Sequence, residues 1–190
     1  MRYDEGHKAA TRASILESAS TLLRGMGIAG TTVAKVMAAR KLTVGGFYKH
    51  FDSQDELFAE SLAVAMRDAR ARLYTGLEPL SGAHFERGLI DRYLSAHHYH
   101  QVKAGCPVAA LATELSRLPS AMRRPLKVEI DGVIDFAAAR CDPPTPSRAW
   151  LLFSTCVGVM VVCRAIGGAP GERLLEGLRE QLKGALHGEG

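Results

Sequence analysis

The sequence offers little to most catalytic and membrane chemistries. Its four cysteines, Cys106, Cys141, Cys156 and Cys163, are scattered without a CxxC pair, so neither a zinc ribbon nor a dithiol redox motif is present. Reduced thiols in a cytoplasmic protein are the expectation. Residues 1–5 lack the apolar stretch of a signal peptide, and the one long apolar run, Ala149 to Cys163, is 15 residues, short of the roughly 20 that a spanning helix needs. No stretch alternates as a strand would, no internal repeat recurs and no low-complexity tract occurs, which sets aside sheet folds, solenoids and disordered tails. At 190 residues the chain is also too short for a large catalytic barrel.

What remains is helical periodicity in a chain that is 47% hydrophobic and carries a net charge of +4. The charge is unevenly placed. Residues 1–52 hold 8 Lys/Arg against 4 Asp/Glu, and the remaining residues hold 16 against 16. A small basic unit joined to an electroneutral one suggests a polyanion-binding module attached to something else.

Ile15, Leu16, Ala19, Leu22, Leu23 and Met26 recur at three- and four-residue steps, predicting a helix that Gly25, Gly27 and Gly30 end. Thr31 and Thr32 offer an N-cap to a short helix with Val33, Val36 and Met37 on its apolar face. Lys41-Leu42-Thr43 forms a tight connection, and Val44 to His50 makes a second short helix capped by Thr43. Asp52-Ser53 caps a longer helix that reaches about Tyr74. Further helices are expected near 83–104, 107–117, 120–140, 146–167 and 171–187, separated by glycine and proline.

A packing helix followed by two short helices across a tight turn is a helix-turn-helix arrangement. The run from Thr31 to Phe51, with Gly45-Gly46-Phe47-Tyr48-Lys49-His50-Phe51 at its centre and Asp52-Ser53-Gln54-Asp55-Glu56-Leu57 after it, resembles the TetR-type transcriptional regulators over residues 10 to 60. The resemblance implies an all-α protein with a helix-turn-helix DNA-binding domain at 1–52 and a ligand-sensing, dimerising helical domain at 53–190. It implies a homodimeric repressor, not an enzyme, that leaves a palindromic double-stranded operator when a small apolar or electrophilic effector binds. Thr32, Lys35, Thr43, Val44, Gly45, Gly46, Tyr48, Lys49 and His50 are the expected DNA-facing residues. Gly45 and Gly46 cost helix stability but clear side chains where a helix approaches DNA. Lys41 stands where the family usually has glycine, so a residue with a Cβ must take a left-handed conformation.

Candidate pocket residues are Met66, Tyr93, His97, Cys106, Phe136, Phe153 and Met160. The dimer surface is expected on the last two helices, through Trp150, Phe153, Val157, Val161, Leu174 and Leu178. His97, His98 and His100 invite a metal reading, but only His97 and His100 share a face, so neither metal nor cofactor is expected. Cys106 precedes Pro107 at a helix start, where the dipole favours thiolate, and a Gly-Cys here resembles a branch of the family that senses electrophiles or oxidants. The competing reading is a helical thiol enzyme or redox sensor without DNA binding, which requires a histidine base paired with Cys106.

Overall fold

A computed structural model of the chain describes residues 2–187 and the side chains of 6–186; Met1 and residues 188–190, the ends of the two expected units, lie outside the described residues. Among the described residues the order is α1 (Arg2–Gly30), α2 (Val33–Ala39), a 3₁₀ helix (Val44–Lys49), α3 (Gln54–Tyr74), α4 (Gly82–Tyr93), α5 (Ala96–His100), α6 (Pro107–Leu115), α7 (Ser120–Ala138), α8 (Pro146–Ile166) and α9 (Gly168–His187), with no strand.

The chain turns where its polar and glycine residues allow it. Gly27, with φ 75°, breaks α1 three residues before its end, a conformation that only glycine adopts cheaply. The Thr32 hydroxyl accepts the Lys35 N–H and starts α2. Lys41 takes φ 57°, so the turn does carry a left-handed non-glycine residue. Ser53 caps α3 by accepting the Glu56 N–H at 3.1 Å, and the Glu56 carboxylate returns to the Asp52 N–H at 2.6 Å, a reciprocal pair that satisfies two orphan donors.

Two expectations about the short elements fail. Thr43 makes no side-chain cap; only its carbonyl is used, accepting from Gly46 N–H, and with two glycines in the first turn the segment closes as the tighter 3₁₀ form. The expected helix over 83–104 is two. Ser95 adopts an extended conformation, accepts the His98 N–H and donates to Arg92 O, which stops α4 and restarts the chain as α5 in a new direction.

Ile15, Leu23, Val36, Met37, Phe47, Phe51, Leu57 and Phe58 form the core under α1, α2 and the start of α3. α3 runs on from there, packing along α7, while α8 pairs with both α7 and α9. Arg12 fixes the junction: its guanidinium forks onto Glu60 at 2.7 Å for both nitrogens, donates to His50 O and lies over the Phe51 ring. α8 is 21 residues, longer than the 15-residue apolar run, and by length and composition alone could cross a membrane. Here Ala149, Leu152, Cys156, Met160 and Cys163 turn its inner face into the protein core.

Candidate functional site

The 3₁₀ helix over Val44–Lys49 hangs on one buried ring. Phe47 is buried, stacks on Phe51 at 5.6 Å and meets Tyr48 edge-on, so its neighbours are forced outward. Tyr48 is 72% exposed and Val44 49%, unusual for a large aromatic and a β-branched residue with no internal function. Thr43, Gly45 and Lys49 are exposed beside them, and Gly46 is half-buried. A Cβ at Gly45 would meet nothing within 4 Å, so that glycine leaves bare backbone open to an incoming surface. Thr32 and Lys35 are exposed at the start of α2, where Lys35 Nζ donates to Gly30 O at 2.7 Å.

His50 is turned partly inward. Its Nδ1 is buried without a partner, and burial, then Lys8, Arg12 and Lys49, lower its pKa. The ring is therefore a neutral group inside a cationic cluster, and the cluster is the part suited to phosphate.

A cavity of about 300 Å³ lies farther along α3. Met66 and Leu73 of α3, Tyr93 at the end of α4, Val133 of α7 and Phe153 of α8 supply apolar walls, and α5 with the loop 101–106 closes the side. Five of the seven expected pocket residues meet there: Met66, Tyr93, His97, Cys106 and Phe153. Phe136 and Met160 do not. Phe136 stacks on Tyr74 at 4.2 Å with the Arg140 guanidinium 3.7 Å above its other face, and Met160 is wholly buried on the inner side of α8. Their apolar character marked core, which sequence spacing does not distinguish from cavity wall.

The three histidines separate. His97 is at the cavity, His100 Nε2 lies 3.2 Å from Glu172, and His98 is built into the wall. The His98 Nδ1 lies 2.6 Å from Tyr93 O, so that nitrogen carries the proton, and Nε2 accepts the Cys106 N–H at 3.1 Å. Both ring nitrogens are thus spent on main chain, leaving none to act as base for the Cys106 thiol, which is buried at the start of α6. The Tyr93 hydroxyl is buried at the same wall without a hydrogen-bond partner; burial foremost, then Cys106, raises its pKa well above the usual range.

On the opposite side of α8, Trp150, Leu151, Val162 and Ile166 form an exposed apolar row with Ser154 and Gly158 between them. Of the residues expected at a dimer surface, Trp150 is on this row, Val157, Val161, Leu174 and Leu178 are half-buried along the α8–α9 seam, and Phe153 faces the cavity instead.

Residues 15–61 match the family described as bacterial regulatory proteins, tetR family. Over those residues the chain carries a tetR-family DNA-binding segment. It is also 27% identical over 122 residues to an HTH-type transcriptional regulator encoded in the lacX 3′ region of Lactococcus lactis subsp. lactis, a match covering 62% of this chain and 61% of that protein. Among solved structures, a TetR transcriptional regulator from Chloroflexus aurantiacus J-10-FL superposes with a TM-score of 0.76 at 22% identity, over 96% of this chain and 95% of the other. AibR in complex with isovaleryl coenzyme A and operator DNA superposes with a TM-score of 0.65 at 17% identity, over 90% and 96%. These likenesses extend the TetR-type fold across the whole helical chain.

Within this TetR-type fold, two residues act that the sequence reading passed over, and a third takes a role other than the metal reading it invited. Glu114, near the end of α6, accepts the Ile28 N–H at 2.7 Å, and a Cβ at Gly27 would come within 2.8 Å of its carboxylate. The helix that begins at the cavity wall therefore ends on the break in α1. Arg24 is buried between the two, donating to Ala65 O, Gly105 O and the Ser20 hydroxyl. Only an arginine on an otherwise apolar helix face hinted at it. His98 is the third, and its burial makes it a stability group. Burial pulls its pKa down from 6.5 to about 4, so the folded state resists protonation while the unfolded chain accepts it. Stability is complete above pH 6.5 and falls as the pH drops toward 4, by about 2 kcal/mol at pH 5. Urea unfolding of wild type and His98→Asn at pH 8 and pH 5 checks this; an equal pH dependence in the two proteins would sink it.

Proposed function

We propose that this protein is a homodimeric, ligand-responsive TetR-family repressor of the cytoplasm. Residues 1–52 form the DNA-binding head and residues 53–190 the sensing and dimerising part. The observation that carries the reading is the recognition helix, where an exposed Tyr48 and Lys49 flank the bare backbone of Gly45 on the unit that holds the whole charge surplus. Tyr48 supplies a phosphate bond or a thymine-methyl contact, Lys49 and the cations around His50 neutralise phosphate, and Thr32 and Lys35 hold the flanking strand. The unpartnered apolar row on α8, continued along the α8–α9 seam, is the surface on which a second copy would be seated, and two-fold symmetry then demands a palindromic site.

The effector enters the cavity beneath α3. Its arrival repositions α6, whose far end bears on Gly27 and Ile28 through Glu114, and α3, whose first turn carries the recognition helix. Cys106 on the wall is where an electrophilic effector would add. AibR, described with both an acyl-coenzyme A and operator DNA, is a protein of this fold in which both kinds of partner occur.

The test is binding to DNA from the protein's own promoter region. Tyr48→Ala should weaken the complex at least tenfold while leaving the melting temperature unchanged, and affinity should fall steeply with salt, because two heads bring about +8 to the site. Unaltered binding by Tyr48→Ala, or a flat salt dependence, would overturn the assignment.

A further inference from the structure

The cavity is apolar in its walls but cationic at its edge. Arg70, Arg72 and Arg92 all line it, and among the described residues no aspartate or glutamate does. Two of these guanidiniums are held by carbonyls alone. Arg72 Nη2 donates to Ala104 O at 2.6 Å, and Arg92 Nη1 donates to Leu73 O and Thr75 O, with no ion pair to either among the described residues. Arg70 is only 4.0 Å from a Glu129 carboxylate that already pairs with Arg67 at 2.7 Å.

A fourth guanidinium stands directly behind the wall. Arg24 is 6% exposed, reaches Gly105 O beside Cys106 and keeps its Nε without a partner. Burial and then Arg72 lower its pKa to about 10, and Asp68 offsets only part of that. Arg24 is still charged at neutral pH, so the apolar space is bordered by positive charge that the protein itself leaves uncompensated. Arg72 is exposed and Arg92 half-buried at this rim, and a guanidinium fork matches a carboxylate better than any neutral group.

We propose that the effector is a small amphiphilic carboxylate, its hydrocarbon body against Met66, Leu73, Val133 and Phe153 and its anionic head toward Arg72 and Arg92. This rests on the effector reading above and names the chemical class that this cavity takes. A volume of about 300 Å³ holds roughly 10 to 15 non-hydrogen atoms at interior packing density, the size of a medium-chain fatty acid or an aryl-alkanoic acid. A whole coenzyme A ester is several times too large for it. The buried Tyr93 hydroxyl adds a neutral donor that an anionic oxygen would satisfy.

The experiment is calorimetric titration of the full-length dimer with three probes of equal chain length: octanoate, 1-octanol and octylammonium. Octanoate should bind at least tenfold more tightly than octanol, and octylammonium more weakly than either. Arg72→Gln should narrow the octanoate-to-octanol ratio at least threefold, and so should Arg92→Gln. Arg67→Gln, outside the cavity, should leave the ratio unchanged. Octanol equal to or tighter than octanoate, no binding of octanoate at millimolar concentration, or a ratio untouched by both cavity variants would overturn the proposal. Binding of octanoyl-coenzyme A where octanoate does not bind would overturn it as well. DNA release is read separately. If octanoate binds by these criteria yet leaves the DNA complex intact, the ligand class stands and the effector reading fails.

Discussion

Arg148→Met is expected to remove about 3 to 5 kcal/mol of folding stability, because it takes the paired guanidinium away from a carboxylate in the core. Glu86 on α4 is wholly buried, and Arg148 in the first turn of α8 meets it with Nε at 2.9 Å and Nη2 at 2.7 Å. The same carboxylate accepts the Asp142 N–H at 3.1 Å, and Arg148 Nη2 also donates to Leu186 O. One guanidinium thus joins α4, the α7–α8 connection, the start of α8 and the last turn of α9. Without it, the buried carboxylate loses its two charge-assisted hydrogen bonds. Glu86→Gln added to Arg148→Met should recover much of the stability, since removing both charges is far cheaper than removing one. Urea unfolding of the two single variants and the double variant measures this. A loss below 1 kcal/mol for Arg148→Met would show that the pair carries no such weight.

Gly171→Ala is expected to cost about 3 kcal/mol, at the upper end of what overpacking a close contact produces. Gly171 lies in the first turn of α9, and a Cβ there would fall on the Cys163 carbonyl oxygen and within 2.6 Å of the Tyr99 hydroxyl. One obstacle is main chain in the last turn of α8, and the other is a buried phenol that already reaches Gly168 O at 3.2 Å. Neither can yield without moving α9 away from α8. Because those two helices carry the proposed dimer surface, thermal melting should fall and sedimentation should show a shift toward monomer. A variant that melts and sediments as wild type would mean that α9 does not sit this closely on α8.

The head was legible because its determinants are local. Phe47 and Phe51 are four residues apart, the cap at Ser53 answers to Glu56 three residues on, and Tyr48 is pushed outward by the burial of its neighbour. The family resemblance then supplied what those residues are for. Thr43 shows where local rules stop, since a residue suited to capping makes no cap when the next turn is wound as a 3₁₀ helix. Ser95 was hidden by an apolar pattern that runs through it, although its own hydroxyl ends α4. The cavity was half legible. Met66, Tyr93, His97, Cys106 and Phe153 converge from four elements and a loop, but Phe136 and Met160 have the same composition and face core. Arg72 and Arg92 gave no signal, being arginines on helices with ordinary polar faces. The Glu114 bond to Ile28 spans 86 residues of sequence, so only the assembled fold brings it into being.

α3 gives this arrangement a mechanical advantage. Its 21 residues make a rod of about 30 Å, with the recognition helix attached just before one end and Met66 to Leu73 against the cavity near the other. A tilt of about 5° about the cavity end displaces the far end by about 2.6 Å, which approaches the 3.4 Å rise of one base pair. In a symmetric pair the two displacements oppose each other, so the separation of the reading heads changes by more than a base-pair step. Under the proposed effector reading, a ligand of a dozen atoms need only wedge its wall by a fraction of an ångström to put both heads out of register with the groove.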